Sequence, residues 1–146
     1  MKKFFWLNTV ILAFFIFDRT LKEIALRGFV SKTAFFKFFY FPNINIALSI
    51  PLRGFLFYFL LIIIIFIIII KLNQAYEKGK TFEVFSWTAI LVGAFSNLLD
   101  RFKYGAVIDY LDFFFVVINI ADIMIFSAVT LLLYQLVLSR FLAKKS

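Results

Sequence analysis

The chain contains no His and no Cys. That removes Ser-His triads, thiolate nucleophiles, and histidine or thiolate metal sites before any motif is considered. Proton transfer must rest on 8 Asp and Glu, 16 Lys and Arg, and 6 Tyr. Two aspartates stand out. Asp109 follows the apolar pair Val107-Ile108 and precedes Tyr110, and Asp122 lies between Ala121 and Ile123 at the head of a long apolar run. If both face one cavity, two carboxylates a few ångströms apart cannot both ionise and share one proton. The ionised partner can activate water, while the protonated one polarises a carbonyl and later supplies the leaving amine. That chemistry needs no metal and no cofactor, and none is expected.

The other polar residues admit two readings each. Asp18 and Lys22 are four apart, acid first, the favourable order for an ion pair on a helix; they either close the helix end structurally or bind a substrate backbone. Gly93, Asn97, Asp100, Arg101 and Tyr104 recur at helical spacing and form one polar face. That face suits close helix packing through small residues as well as a site. Asn119 can be the N-cap of the last helix with Asp122 at N3, favoured by the helix dipole. Asp112 points away from Asp109 along any strand and reads as a solvated acid.

These residues must be positioned in lipid. The 146-residue chain is 64% hydrophobic with 24 Phe and a mean hydropathy of +1.02, an apolar excess that so small a soluble body cannot bury. Apolar runs predict four spans at about 4–25, 55–70, 84–100 and 118–138. Asn43 to Ile50 alternates polar or small with apolar residues, the half-buried strand pattern. Pro42 and Pro51 bracket it as breakers, and the aromatic stretch Phe35–Phe41 is a candidate pairing strand. The expected fold is a membrane all-α protein, four transmembrane helices plus a short extracytoplasmic sheet at about 35–50, in a single domain over 1–146. The net charge of +8 flanks the apolar runs, which points to membrane lipids as partners and not to nucleic acid.

Taken together, these motifs resemble the lipoprotein signal peptidase family (signal peptidase II) of bacteria. The family's Asn-x-x-Asp-Arg element appears as Asn97-Leu98-Leu99-Asp100-Arg101, and its Val-Asp-Phe element as Val107-Ile108-Asp109-Tyr110. Its Phe-Asn-x-Ala-Asp element appears as Ile118 to Asp122, its first-helix Asp-x-x-x-Lys element as Asp18 to Lys22, and its Asn-x-Gly-Ala-Ala-Phe-Ser stretch falls on Asn43 to Ser49. The resemblance implies an aspartyl endopeptidase that cuts a prolipoprotein just before a diacylglyceryl-modified Cys, with Asp109 and Asp122 catalytic. It implies that Asn43, Asn97, Arg101 and Asn119, with Asp18, Lys22 and Asp100, hold substrate or order the site. It further implies a multi-pass protein of the bacterial cytoplasmic (inner) membrane, acting as a monomer on a lipidated substrate with its site near the outer face. Departures from the family pattern are Asn45, Ile46, Val92, Ser96 and Tyr110, and a short segment between the two aspartates.

Two rivals remain at this level. One is a Ser-Lys peptidase using Ser49 with Lys22 or Lys37. The other is a non-catalytic membrane protein, a small transporter subunit or holin-like assembly. Orientation follows from charge: both groups of flanking segments hold eight Lys and Arg, but those at the termini and in the Lys71–Glu83 connector are denser, which places them in the cytoplasm. A Cys introduced near Lys78 should therefore resist a membrane-impermeant thiol reagent in intact cells, and one near Lys37 should react. The reverse labelling would invert the topology.

Overall fold

The structure, a computed structural model, describes residues 2–44 and 54–143. The described residues form four helices and one four-stranded antiparallel sheet. Helix α1 (Lys2–Leu26) ends where Gly28 takes φ 81 and donates to the Ala25 carbonyl, with Phe29 N–H reaching Ile24 O. A left-handed residue there is the usual helix stop, and glycine bears no steric cost in it.

Helix α2 (Phe55–Glu77) and helix α3 (Thr81–Tyr104) run further than their apolar cores. Most of the expected Lys71–Glu83 connector is helical, and only Lys78–Lys80 turn between them, with Gly79 at φ 64. Polarity ended the apolar run but not the helix, because Lys, Leu, Gln, Ala and Glu are good helix formers. Helix α4 spans Ile120–Ala143.

Among the described residues three helices, not the four expected, are long and apolar enough to cross a membrane: Tyr58–Glu77, Thr81–Tyr104 and Ile120–Leu142. Helix α1 has the length, 25 residues or about 37 Å. Asp18, Arg19, Lys22 and Glu23 crowd its last third. Helix α3 is the hub. It packs on α1, α2 and α4, and Ala89 and Ile90 join Ile11, Ile68 and Ala128 in one buried cluster. A Cβ on Gly93 would lie 2.8 Å from Ala121 O and 2.9 Å from Ile125 Cγ1, so α3 meets the start of α4 almost backbone to backbone.

The sheet has the order β1 (Ser31–Lys32), β2 (Lys37–Asn43), β3 (Val107–Asp112), β4 (Val117–Ile118). Of the β element expected at about 35–50, Lys37–Asn43 form a strand. Strand β2 grows from the aromatic stretch and ends at Asn43, its partners are β1 and β3, and Pro42 lies inside it opposite Ile108. Proline is tolerated there because β1 pairs only with Lys37 and Phe38, leaving Pro42 on an open edge. The remainder of the expected strand, with Asn45, Ile46 and Ser49, falls outside the described residues.

Register decides which side chains share a face of the sheet. Phe38 pairs with Leu111, but Phe41 pairs with Asp109, so β2 holds one extra residue in between. Without that bulge Asp109 would face Tyr40, and Asn43 would point to the opposite side. With it, Asn43 and Asp109 share a face as diagonal neighbours.

Gly93→Ala should destabilise the protein by about 1–3 kcal/mol, because the closest obstacle is a backbone oxygen that cannot rotate away. A detergent melting curve should show the loss. An unchanged melting temperature would mean that α3 and α4 do not approach this closely.

Candidate active site

The site begins with two matched i,i+4 pairs, Asp18 and Lys22 on α1 and Ser96 and Asp100 on α3, all buried. The Lys22 ammonium lies 3.0 Å from Asp18 Oδ2 and 2.7 Å from Asp100 Oδ2. Arg19, the next residue on α1, pairs with Asp100 Oδ1 and donates to the Ser96 carbonyl at 3.2 Å. Ser96 Oγ donates to Asp18 Oδ2 at 2.6 Å. Two acids and two bases thus form a neutral cluster, the condition under which buried charge is tolerated.

Lys22 also donates to Asn97 Oδ1 at 2.9 Å. With its oxygen so engaged, Asn97 turns its Nδ2 to Asp122 Oδ1 at 2.8 Å.

Helix α4 starts with all four of its first donors occupied by side chains. Asn119 N–H reaches Asp122 Oδ2 at 3.3 Å, and Asp122 N–H reaches Asn119 Oδ1 at 2.9 Å. Between them Ile120 N–H donates to Tyr110 Oη at 3.0 Å, and Ala121 N–H to Asp18 Oδ1 at 3.2 Å. The two bonds between Asn119 and Asp122 are a reciprocal capping arrangement with Asp in place of Glu. The capping reading of Asn119 is therefore realised, and it does not compete with a place in the site. The same Asn119 sends Nδ2 to Asp109 Oδ1 at 2.6 Å and to Asn97 Oδ1 at 3.2 Å.

Asp109 is buried on β3, and its second oxygen accepts from Asn43 Nδ2 at 2.8 Å. Burial pushes its carboxyl up to about 6, the charge of Asp122 adds to that, and the Asn43 and Asn119 carboxamides pull it back. The two aspartates thus feel each other's charge while one asparagine touches both. Arg101 lies half-buried within electrostatic reach of both.

Some expected residues lie apart. Tyr104 is exposed, because the buried stripe of α3 runs through Gly93, Ser96 and Asp100. Asp112 is half-exposed at the end of β3 and accepts the Phe114 N–H at 2.8 Å. It serves the tight hairpin that shortens the segment between the aspartates. Lys37 stands exposed beside the Phe39 ring, and Lys22 is committed to two carboxylates; Ser49 lies outside the described residues.

Three participants were not singled out from the sequence: Arg19, Ser96 and Tyr110. The signal for Ser96 was present, since Ser96–Asp100 repeats the four-residue spacing of Asp18–Lys22 and the two pairs can meet. Tyr110 was visible only as a departure from a Phe. Its phenol lies well above its ordinary value because of burial and then the Asp18 carboxylate, so the hydroxyl remains a donor.

Carboxylates on a strand and a helix start, cradled by carboxamides beside helices of membrane-crossing length, are the equipment of a membrane peptidase of the aspartic class. Residues 10–138 match the family described as signal peptidase (SPase) II, an aspartic peptidase family, and the chain belongs to it. It is 34% identical to the lipoprotein signal peptidase of Wolinella succinogenes over 83% of this chain and 86% of that one. The lipoprotein signal peptidase of Pelagibacter ubique is also 34% identical, covering 84% and 82%. Two solved structures described as bacterial membrane enzymes superpose with TM-scores of 0.74 and 0.69, both at 26% identity. They cover 90% and 89% of this chain, and 87% and 91% of theirs.

The raised Asp109 carboxyl makes a stability prediction. A buried acid whose folded value exceeds its unfolded one favours folding least when it must be charged, so its penalty is absent below about pH 4 and complete above about pH 6. Asp109→Asn should gain melting temperature relative to the parent as pH rises from 4 to 7 in detergent. A difference independent of pH would contradict the assigned environment.

Proposed function

We propose that this protein removes signal peptides from prolipoproteins, cutting before a Cys that carries diacylglycerol, with Asp109 and Asp122 as the catalytic dyad. The observation that carries this reading is Asn119. Its carboxamide caps α4 through the Asp122 N–H and holds the Asp109 carboxylate with its other end, so one rigid group sets the placement of both acids.

The chemistry follows from the shared proton. Asp122, at the positive end of α4 with donors from Asn119 and Asn97, suits the ionised role and takes a proton from water. Asp109 carries the shared proton and donates a hydrogen bond to the scissile carbonyl oxygen. Attack of the water oxygen forms a C–O bond and a tetrahedral centre. Collapse breaks the C–N bond, and a carboxyl proton passes to the leaving nitrogen. Asn43 and Asn97 fix the orientation of the acids, and Arg101 adds positive potential beside them.

Helix α1 serves as the fourth span. Three of its charged side chains, Asp18, Arg19 and Lys22, bind to α3, and Asp18 and Lys22 are buried. These charges are thus neutralised within the bundle, while Glu23 pairs with Arg27 at the exposed helix end. Both termini are then cytoplasmic, the acids lie near the outer face, and a lipidated substrate reaches them laterally from the bilayer. A monomer suffices, because both acids come from one chain. A transporter subunit is not favoured, because the buried charges gather at one end of the bundle and do not form a path across it.

Asp109→Asn and Asp122→Asn should each lower cleavage of a diacylglyceryl-modified prolipoprotein by at least about a hundredfold. Each should leave a folded, membrane-inserted protein. Asp112→Asn and Ser49→Ala should stay active, and an unlipidated precursor should be cut far more slowly. Mass spectrometry of products in detergent, beside a melting curve for each variant, reads the result. Full activity in either dyad variant would remove that residue from the mechanism.

A further inference from the structure

Tyr110 follows Asp109 in the chain, but strand alternation sends its side chain to the other face of β3. There it packs on Phe38, with ring centroids 5.4 Å apart, in a buried cluster with Ala25. Packing accounts for the ring but not for the hydroxyl. That atom is fully buried with the rest of the residue and makes two bonds of opposite sense. It donates to Asp18 Oδ1 at 2.9 Å and accepts from Ile120 N–H at 3.0 Å. Ile120 opens α4 two residues before Asp122. Of the four donors at that helix start, the capping pair is internal to Asn119 and Asp122. The other two, Ile120 and Ala121, are held from outside by Tyr110 and Asp18, which are bonded to each other.

We infer that Tyr110 is a positioning residue for the dyad: its hydroxyl locks the first turn of α4, and with it Asp122, to the strand that carries Asp109 and to Asp18 of α1. The inference rests on the proposed dyad. Removing the hydroxyl leaves a buried N–H without its acceptor and a buried carboxylate short of one donor. The first turn then shifts to find replacements. Because reacting groups must hold their geometry to within a fraction of an ångström, such a shift costs rate more than it costs substrate binding made away from the acids.

Tyr110→Phe keeps the ring against Phe38 and deletes only the hydroxyl. It should lower kcat between about ten- and a hundredfold with KM changed less than about twofold. Phe38→Leu is the packing control, since it disturbs the same cluster without touching the hydroxyl or the acids. It should lower the melting temperature while leaving kcat near the parent value.

A second probe leaves Tyr110 intact and covers the case in which Tyr110→Phe does not fold. Ile120→Pro removes the N–H at the first helical position, where proline is tolerated, and Ile120→Ala corrects for the lost side chain. The proline variant should show a kcat at least about fivefold below that of the alanine variant, a modest part of the loss that misplacement causes. A parental kcat in Tyr110→Phe, or equal kcat in the two Ile120 variants, overturns the inference. A kcat loss in Phe38→Leu as large as that in Tyr110→Phe overturns it too, because packing alone would then explain the effect. These outcomes are separable from failure of the dyad itself, which would appear as activity in Asp109→Asn or Asp122→Asn.

Discussion

A single ammonium group holds the site together. Lys22 has no exposed surface, and a charge removed from water is sustained only by partners that repay several kcal/mol of lost hydration. It finds two carboxylates, Asp18 one turn earlier on its own helix and Asp100 on α3, and Arg19 balances the second negative charge. Sliding or rotating α1 against α3 would leave one of these charges buried and unpaired. The cluster therefore fixes the relative register of the two helices more strictly than apolar contacts between them could. Both acids then act outward: Asp18 caps α4 through Ala121, and Asp100 accepts from Ile108 N–H next to Asp109 at 3.3 Å.

Orientation spreads from that cluster through amides. A carboxamide has one accepting and one donating end, so a charge on one side decides what the other offers. Lys22 claims the oxygen of Asn97, and the nitrogen must face Asp122. The Asp122 N–H claims the oxygen of Asn119, and that nitrogen must face Asp109. Reversing either amide would set donor against donor. Two of the three asparagines around the acids are thus wired by fixed neighbours, which is how a site made without His keeps its geometry.

Much of this architecture was legible in the chain, for identifiable reasons. Helix cores are long apolar runs, and four-residue spacing places Asp18 with Lys22 irrespective of tertiary context. At Lys71–Glu83 the helix ends differ from the expected connector, because polarity is no stop there and the turn falls at Gly79. Pro42 reads as a breaker from sequence alone, yet it lies inside β2, because proline on an open edge costs the ladder nothing. The bulge between Phe38 and Phe41 leaves no mark in composition, although it decides whether Asn43 can reach Asp109. Tyr110 was hidden because an aromatic beside an aspartate reads as packing, and its hydroxyl acquires partners only when α1, β3 and α4 meet.

The same meeting of elements bears on the proposed role of the two carboxylates. A helix start normally offers unpaired N–H groups and attracts anions. In α4 these donors are satisfied by Asn119, Asp122, Tyr110 and Asp18. Donor capacity there is exhausted, so the helix start presents the half-buried oxygens of Asp122 beside those of Asp109. In the proposed mechanism a peptide carbonyl would meet a carboxyl able to donate and a carboxylate able to accept, with the competing backbone donors already satisfied. Closing the helix end with side chains from α1 and β3 as well as its own caps removes a general anion site, which suits the shared proton of the proposed dyad.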